Sequence, residues 1–177
     1  MKHIMVDCET LGLMNDALIL SIGAVEFDPY STRISDLFHE AINTRSSRDA
    51  GLQISGDTVL WWLSQEPAAQ AALVKKLKAA DTLGGVLHRF TAFVVGYGDV
   101  KLWSCGARDL TWLESAYAAL GQPVPWGYRT GDYRTIRDEF SLPEDKPPHA
   151  GEHDALADAL YQAKHLQNIY KRLGKTA

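Results

Sequence analysis

Cysteine is scarce. Cys8 and Cys105 are the only two in 177 residues, too few for a disulfide framework or a four-thiolate zinc site. They read as two reduced, buried thiols of a cytosolic protein. A surplus of positive charge is also lacking: 18 Lys and Arg stand against 22 Asp and Glu, a net charge of −4. No global basic field draws in nucleic acid, so such a partner would need a local basic groove, or metal ions, to offset its phosphates. No apolar run approaches the roughly 20 residues of a membrane span. No charged-then-apolar leader precedes the first apolar run, so the expectation is a soluble, cytoplasmic protein without a membrane partner. Internal repeats, low-complexity tracts and domain linkers are absent. The length suits one domain with its own core, expected to span 1–177.

What the chain does have is a short apolar run that ends in two carboxylates, Lys2-His3-Ile4-Met5-Val6-Asp7-Cys8-Glu9-Thr10. It reads as a buried strand before a turn at Thr10-Leu11-Gly12-Leu13. Side chains alternate along a strand, so Asp7 and Glu9 project to one side, roughly 7 Å apart. Two like charges held there are either solvated beyond the strand's end, or resolved by a cation or a raised pKa.

The rest of the chain alternates strand and helix signals. Ala17 to Asp28 reads as a long strand stopped by Pro29, and Arg33 to Ile42 as its hairpin partner, giving an antiparallel meander of three. Thr44 to Ser55 reads as a loop. Asp57 is a candidate cap for a helix through Thr58–Leu63, and Pro67 opens another through Ala68–Ala79. The lysines near its end, Lys75, Lys76 and Lys78, read as a solvated face. The pair Trp61-Trp62 is either core or a stacking surface for bases, since every base has a π-face. Asp81 or Thr82 caps a helix carrying Val86, Leu87, Phe90, Phe93 and Val94, broken at Gly96–Gly98. Val100–Ser104 reads as a strand. Asp109 follows it at a strand-to-helix junction, as an N-cap or as a site residue. Pro123 to Gly131 is irregular, a short helix begins at Asp132, and Ser141 to Gly151 is a loop. A last helix starts near His153-Asp154 and runs to about Leu173, stopped by Gly174.

Asp7, Glu9, Asp109, Asp154 and Asp158 thus fall at strand ends and helix starts, points that share one crevice in an α/β sandwich. Clustered carboxylates without nearby Lys or Arg ask for hard divalent cations. His153 and Asp158 lie roughly 140° apart around a regular helix, so His153 belongs in the incoming loop if both face inward. Ala155 and Ala157 leave room for close approach. The helix start alone leaves Asp154 and Asp158 both open as ligands. Glu152 would favour the protonated imidazole if the two approach.

Three motifs, Asp7-x-Glu9, Asp109 after Trp103-x-x-Gly106, and His153-x-Ala155-x-x-Asp158, resemble those of the DEDDh 3′→5′ exonucleases. The resemblance spans Ile4 to about Tyr161. Asp57-Thr58-Val59-x-Trp61-Trp62-Leu63-x-Gln65 and Asp132-x-Arg134-Thr135 are similar to the branch holding exonuclease VIII-like nucleases and RNase AS-type exoribonucleases. The match departs at Arg108, where Phe is frequent, and at Cys105, where Asn is common; the Gly106–Asp109 segment is about one residue short.

The resemblance implies a ribonuclease H-like α/β fold, a central mixed five-stranded sheet flanked by helices with the meander as its first three strands. It implies two Mg²⁺ or Mn²⁺ ions per site held by Asp7, Glu9, Asp109 and Asp158, which settles the choice in favour of Asp158. It gives His153 the general-base role, and implies a nucleic-acid partner with a free 3′ end. Hydrolysis would release nucleoside 5′-monophosphates, with RNA leaned towards over DNA. Thr10, Leu11, Gly12 and Leu13 are candidates for holding the terminal nucleotide. Trp61, Trp62 and Tyr128 are candidates for stacking, and Arg108 for nucleic-acid contact. Homodimerisation is common in that family. The competing readings are a catalytically silent binding module of the same fold, and a metal-dependent phosphoesterase of other specificity. A structural calcium domain is disfavoured, because no loop shows ligands at calcium-loop spacing.

Overall fold

The first apolar run forms β1 (Lys2–Thr10), and every other strand is placed relative to it. The computed structural model describes residues 1–96, 99–148 and 153–175. β2 (Ile19–Phe27) pairs with β1 antiparallel, and β3 (Ile34–Ala41) pairs with β2 antiparallel, which is the expected meander. β4 (Val100–Ser104) and β5 (Thr130–Asp132) add in parallel on the other side of β1, giving the order β3-β2-β1-β4-β5. The helices are α1 (Thr44–Asp49), α2 (Gly56–Leu63), α3 (Pro67–Lys78), α4 (Leu83–Val95), α5 (Arg108–Ala119), α6 (Tyr133–Phe140) and α7 (Ala155–Arg172). This is the mixed five-stranded α/β architecture that the sequence led us to expect. Among the described residues no helix is long and apolar enough to cross a membrane.

The two-residue period of β1 divides the core. Ile4, Val6 and Cys8 face a cluster with Val86, Leu87 and Phe90 of α4 and Leu113 and Tyr117 of α5. Met5 faces the other way, into a cluster with Val25, Phe27, Trp103, Tyr133 and the α7 residues Ala159, Ala163, Leu166 and Ile169. Asp7 and Glu9 continue the odd-numbered face. They therefore emerge at the α7 end of the sheet, where the apolar cover stops.

Several local expectations change. Thr44 to Ser55 is not all loop, because the Asn43 side chain accepts from the backbone N–H groups of Arg45 and Ser46 and caps α1. Ser55, not Asp57, is the N-cap of α2, and it makes no side-chain capping bond. Asp109 is not a cap either: Ala107 holds that position and Asp109 sits in the first turn of α5. The stretch read as irregular ends in β5, three residues long. The Ser141–Gly151 loop contains a 3-10 turn at Pro143–Asp145. Gly98, at the expected end of α4, lies outside the described residues.

α7 begins where it does because Asp154 caps it, accepting from Ala157 N–H at 3.1 Å. Its first turn lies directly on β2. A Cβ at Gly23 would fall 2.1 Å from the Ala155 carbonyl carbon and 2.2 Å from Leu156 N. Gly23 pairs with Asp7 across the sheet, so this contact sets the distance between α7 and the carboxylate strand. Gly23→Ala is expected to destabilise the fold by about 2–3 kcal/mol by overpacking against backbone that cannot yield. Gly84→Ala on α4, whose nearest neighbour would be 3.8 Å away, is expected to be neutral or slightly stabilising. Chemical denaturation of both variants checks the contrast.

Candidate active site

Asp7 and Glu9 from β1 and Asp158 from the first turn of α7 converge. One carboxylate oxygen from each lies within 4.8 Å of the others. Asp154 is occupied as the cap of α7 and in a pair with Lys76, whereas Asp158, one turn on, lies with Asp7 and Glu9. Asp109 approaches from α5 and is buried, its Oδ1 accepting from Cys8 N–H at 3.1 Å.

Packing these acids together has an electrostatic cost that shows in their proton affinities. Burial, then the charges of Asp109, Glu9 and Asp158, raises Asp7 well above the usual carboxylate range. Glu9 is pushed up to about 8, by burial first and then by Asp158, Asp109 and Asp154, with Lys76 opposing. Asp109 is raised to about 7 by burial, against backbone N–H donors and the nearby Arg134. The set is all hard oxygen donors. A divalent cation suits such a set, and would relieve the repulsion that burial amplifies.

Beside Glu9 opens a cleft of about 370 Å³, within the roughly 300–1,000 Å³ of small-ligand sites. It is lined by Cys8, Glu9, Thr10, Leu13, Asp57, Thr58, Trp61, Trp62 and Trp112. The tryptophan pair divides, as adjacent positions about 100° apart on a helix must. Trp62 is buried, its Nε1 donating to the Thr10 carbonyl at 3.0 Å. Trp61 is 41% exposed. Leu13 is exposed at the rim, whereas Leu11 packs on the core and Gly12 accepts from Thr10 Oγ1 at 2.7 Å. Arg108 spends a donor on the Leu13 carbonyl and so braces the turn. Tyr128 lies beside Val100, near the Lys2 end of β1, at the opposite end of the sheet from the carboxylates.

His153 stands outside α7, as expected, with φ at +63°. That left-handed conformation is uncommon for a residue with a side chain, though His is enriched there. The imidazole is exposed and meets Trp61 edge-on at 4.8 Å between centroids, with Trp62 at 6.2 Å. It therefore sits at the Trp61 wall of the cleft and not within the carboxylate group. Glu152, named as its neighbour, lies outside the described residues. Of the cysteines, Cys8 is buried and Cys105 half-buried.

Four residues at this end went unrecognised as site neighbours. Gln162 donates through Nε2 to Asp7 Oδ1 at 2.8 Å; it lies one turn after Asp158 on the same face, a spacing that could have flagged it. Trp112, three residues after Asp109, donates through Nε1 to the Met14 carbonyl at 2.8 Å. Lys76 is not merely solvated, since it is paired with Asp154. Arg134 donates to the Cys105 carbonyl at 3.1 Å.

Comparison with known proteins follows this geometry. Among curated proteins none matches the sequence. The fold is similar to the nuclease domain of 3′hExo, a DEDDh family member solved bound to rAMP, with 13% identity and a TM-score of 0.69 over 97% of this chain and 92% of that one. It is similar to E. coli ExoI in a complex with single-stranded DNA, with 11% identity and a TM-score of 0.73 over 98% of this chain but 41% of that one. A 3′-exonuclease that recognises the histone mRNA stem-loop matches with 14% identity and a TM-score of 0.59, over 97% and 80%. A model of the 3′-5′ exoribonuclease Rv2179c-like domain matches residues 2–170. The chain therefore belongs to the Rv2179c-like 3′-5′ exoribonuclease domain family and is a 3′-5′ exonuclease with the fold of the DEDDh group.

Proposed function

We propose that this single domain removes nucleotides one at a time from the 3′ end of RNA, in a metal-dependent hydrolysis that releases nucleoside 5′-monophosphates. The observation that carries the reading is the convergence of Asp7, Glu9 and Asp158 within 4.8 Å, beside a cleft walled by Trp61, Trp62 and Trp112. Asp7, Glu9 and Asp158 would hold the ions, with Asp109 supporting a second. Mg²⁺ or Mn²⁺ suits their oxygen donors. Bound there, two such ions supply Lewis acidity to the scissile phosphate and a lowered pKa to the attacking water.

The chain's own side chains do the remainder. Gln162 fixes the rotamer of Asp7 through its hydrogen bond. Trp61 and Leu13 flank the terminal nucleoside and Thr10 lines its floor. His153, exposed at the mouth of that cleft, accepts the water's proton on an imidazole nitrogen. Preference for RNA is supported by the family's description. A homodimer is part of the same reading, with the exposed Leu60 and Leu63 of α2 as its contact and sedimentation as its test.

If Trp61 stacks on the terminal base, Trp61→Ala should weaken oligonucleotide binding by roughly 1–3 kcal/mol and leave Tm nearly unchanged, because the ring is half in solvent. The polymer preference is read by mixing RNA and DNA of one sequence with Mn²⁺ and identifying the products by mass. Faster loss of RNA with nucleoside 5′-monophosphates accumulating is expected. Faster DNA loss would overturn the RNA assignment, and nucleoside 3′-monophosphates would overturn the cleavage chemistry.

A further inference from the structure

The parallel pairing of β1, β4 and β5 sends three chain segments off one edge of the sheet. The first carries Glu9, the second Cys105 to Asp109, and the third the start of α6. Arg134, the second residue of α6, lies there. Its Nη2 donates to the Cys105 carbonyl at 3.1 Å. Its guanidinium rests against Gly106, where an added Cβ would lie 3.4 Å from Cζ. Gly106 has φ +84°, and its N–H donates to Asp132 Oδ1 at 3.0 Å. The same oxygen accepts from Arg134 N–H at 2.8 Å. Arg134 is thus fixed by backbone contacts to the loop that delivers Asp109.

The other cations near this edge are engaged: Lys76 with Asp154, Arg108 with the Leu13 carbonyl and Arg137 with Asp138. No ion pair among the described residues includes Arg134, which is exposed. A guanidinium has five donors in a planar fork that matches phosphate, and Arg134 uses Nη2 for both of its side-chain bonds to Cys105, to the carbonyl and to Sγ. Its charge acts on the nearby Asp109 carboxyl, one of a group of acids that repel any phosphate not accompanied by cations. The cleft beside Glu9 opens on the α2 side. In the exonuclease reading it takes the terminal nucleoside, and a strand that crosses the carboxylates from there would leave towards α6.

We propose that Arg134 is a substrate-binding residue that receives a phosphate of the retained strand, on the 5′ side of the scissile bond. The proposal rests on the exonuclease reading for the direction of the strand, and it predicts what a residue that merely staples α6 to the Cys105 loop would not do.

The test is fluorescence anisotropy of a 5′-labelled RNA 12-mer against salt, in an Asp7→Asn background so that the strand is not consumed. Adding Arg134→Ala should weaken binding about 10-fold and reduce the slope of log K against log salt by about 0.7, the loss of one single-strand phosphate contact. Arg134→Lys should restore the slope while recovering affinity only in part. With Asp7 intact, Arg134→Ala should raise KM for the 12-mer by a clearly larger factor than for a p-nitrophenyl ester of a nucleoside 5′-monophosphate, since that ester has no upstream phosphate. An unchanged salt slope would overturn the proposal, as would equal losses on the 12-mer and the ester. Should the slope change while the wild-type protein shortens no strand, the exonuclease reading falls and the phosphate contact stands.

Discussion

Asp7→Asn is expected to lower strand shortening by about 10³-fold or more and, in the absence of metal, to make the protein more stable. The first effect follows from removing the carboxylate at the centre of the cluster, because metal-supplied charge stabilisation amounts to several kcal/mol and each 1.36 kcal/mol is tenfold in rate. The second follows from the repulsion among Asp7, Glu9, Asp109 and Asp158. Glu9 is raised from 4.5 to about 8 and Asp109 from 3.8 to about 7. A carboxyl whose pKa is higher folded than unfolded contributes its stability below the unfolded pKa. That contribution is lost as pH rises through the folded value. In EDTA the wild-type protein should therefore lose stability between about pH 4 and pH 8. Asn at position 7 keeps a hydrogen bond to Gln162 and removes one charge. An increase in Tm of about 3–6 °C at pH 8 corresponds to roughly 1–2 kcal/mol for a chain of this size. Differential scanning fluorimetry in EDTA at pH 5 and pH 8 reads both trends. A lower Tm for Asp7→Asn at pH 8, or a wild-type Tm that does not fall with pH, would contradict the electrostatic account.

The second large effect concerns His153. Its replacement is expected to slow turnover by roughly 10²–10⁴-fold, the usual contribution of a positioned general base, with KM and the thermal shift produced by Mn²⁺ unchanged. The substitution matters because φ is +63°. Alanine there adds a backbone penalty of about 1 kcal/mol. His153→Asn is the cleaner variant, since Asn tolerates the left-handed region, and it isolates the imidazole. The exposed ring against Trp61 has few contacts to lose, so stability should hold. A rate within about twofold of wild type would assign the proton transfer to another group.

The carboxylate strand was legible because its signal is local. Asp7 and Glu9 end an apolar run, and a period of two puts them on one face whatever the rest of the chain does. The last helix was legible for the same reason, but its start left Asp154 and Asp158 both open, and only the family resemblance favoured Asp158. The losses came where the deciding interaction is short or distant. α1 hangs on the Asn43 side chain, and β5 is three residues held by pairing with β4. Lys76 looked solvated because its partner, Asp154, is 78 positions away. The Gly23 contact with α7 has no sequence signature either, since a glycine inside a strand reads as a weakness until the helix above it is seen. Trp61 and Trp62 could be weighed only as a pair, and the fold assigned them different roles.

The central claim is that the carboxylate cluster carries out metal-dependent removal of nucleotides from a 3′ end. A single gel tests it most directly, with 5′-labelled single-stranded RNA incubated with Mn²⁺, with EDTA, and with Mn²⁺ plus the Asp7→Asn protein. The account predicts a ladder descending one nucleotide at a time with Mn²⁺, and an intact strand in the other two lanes. A ladder that persists in EDTA or with Asp7→Asn, discrete internal cuts in place of a ladder, or an intact strand in all three lanes with folded protein would contradict it.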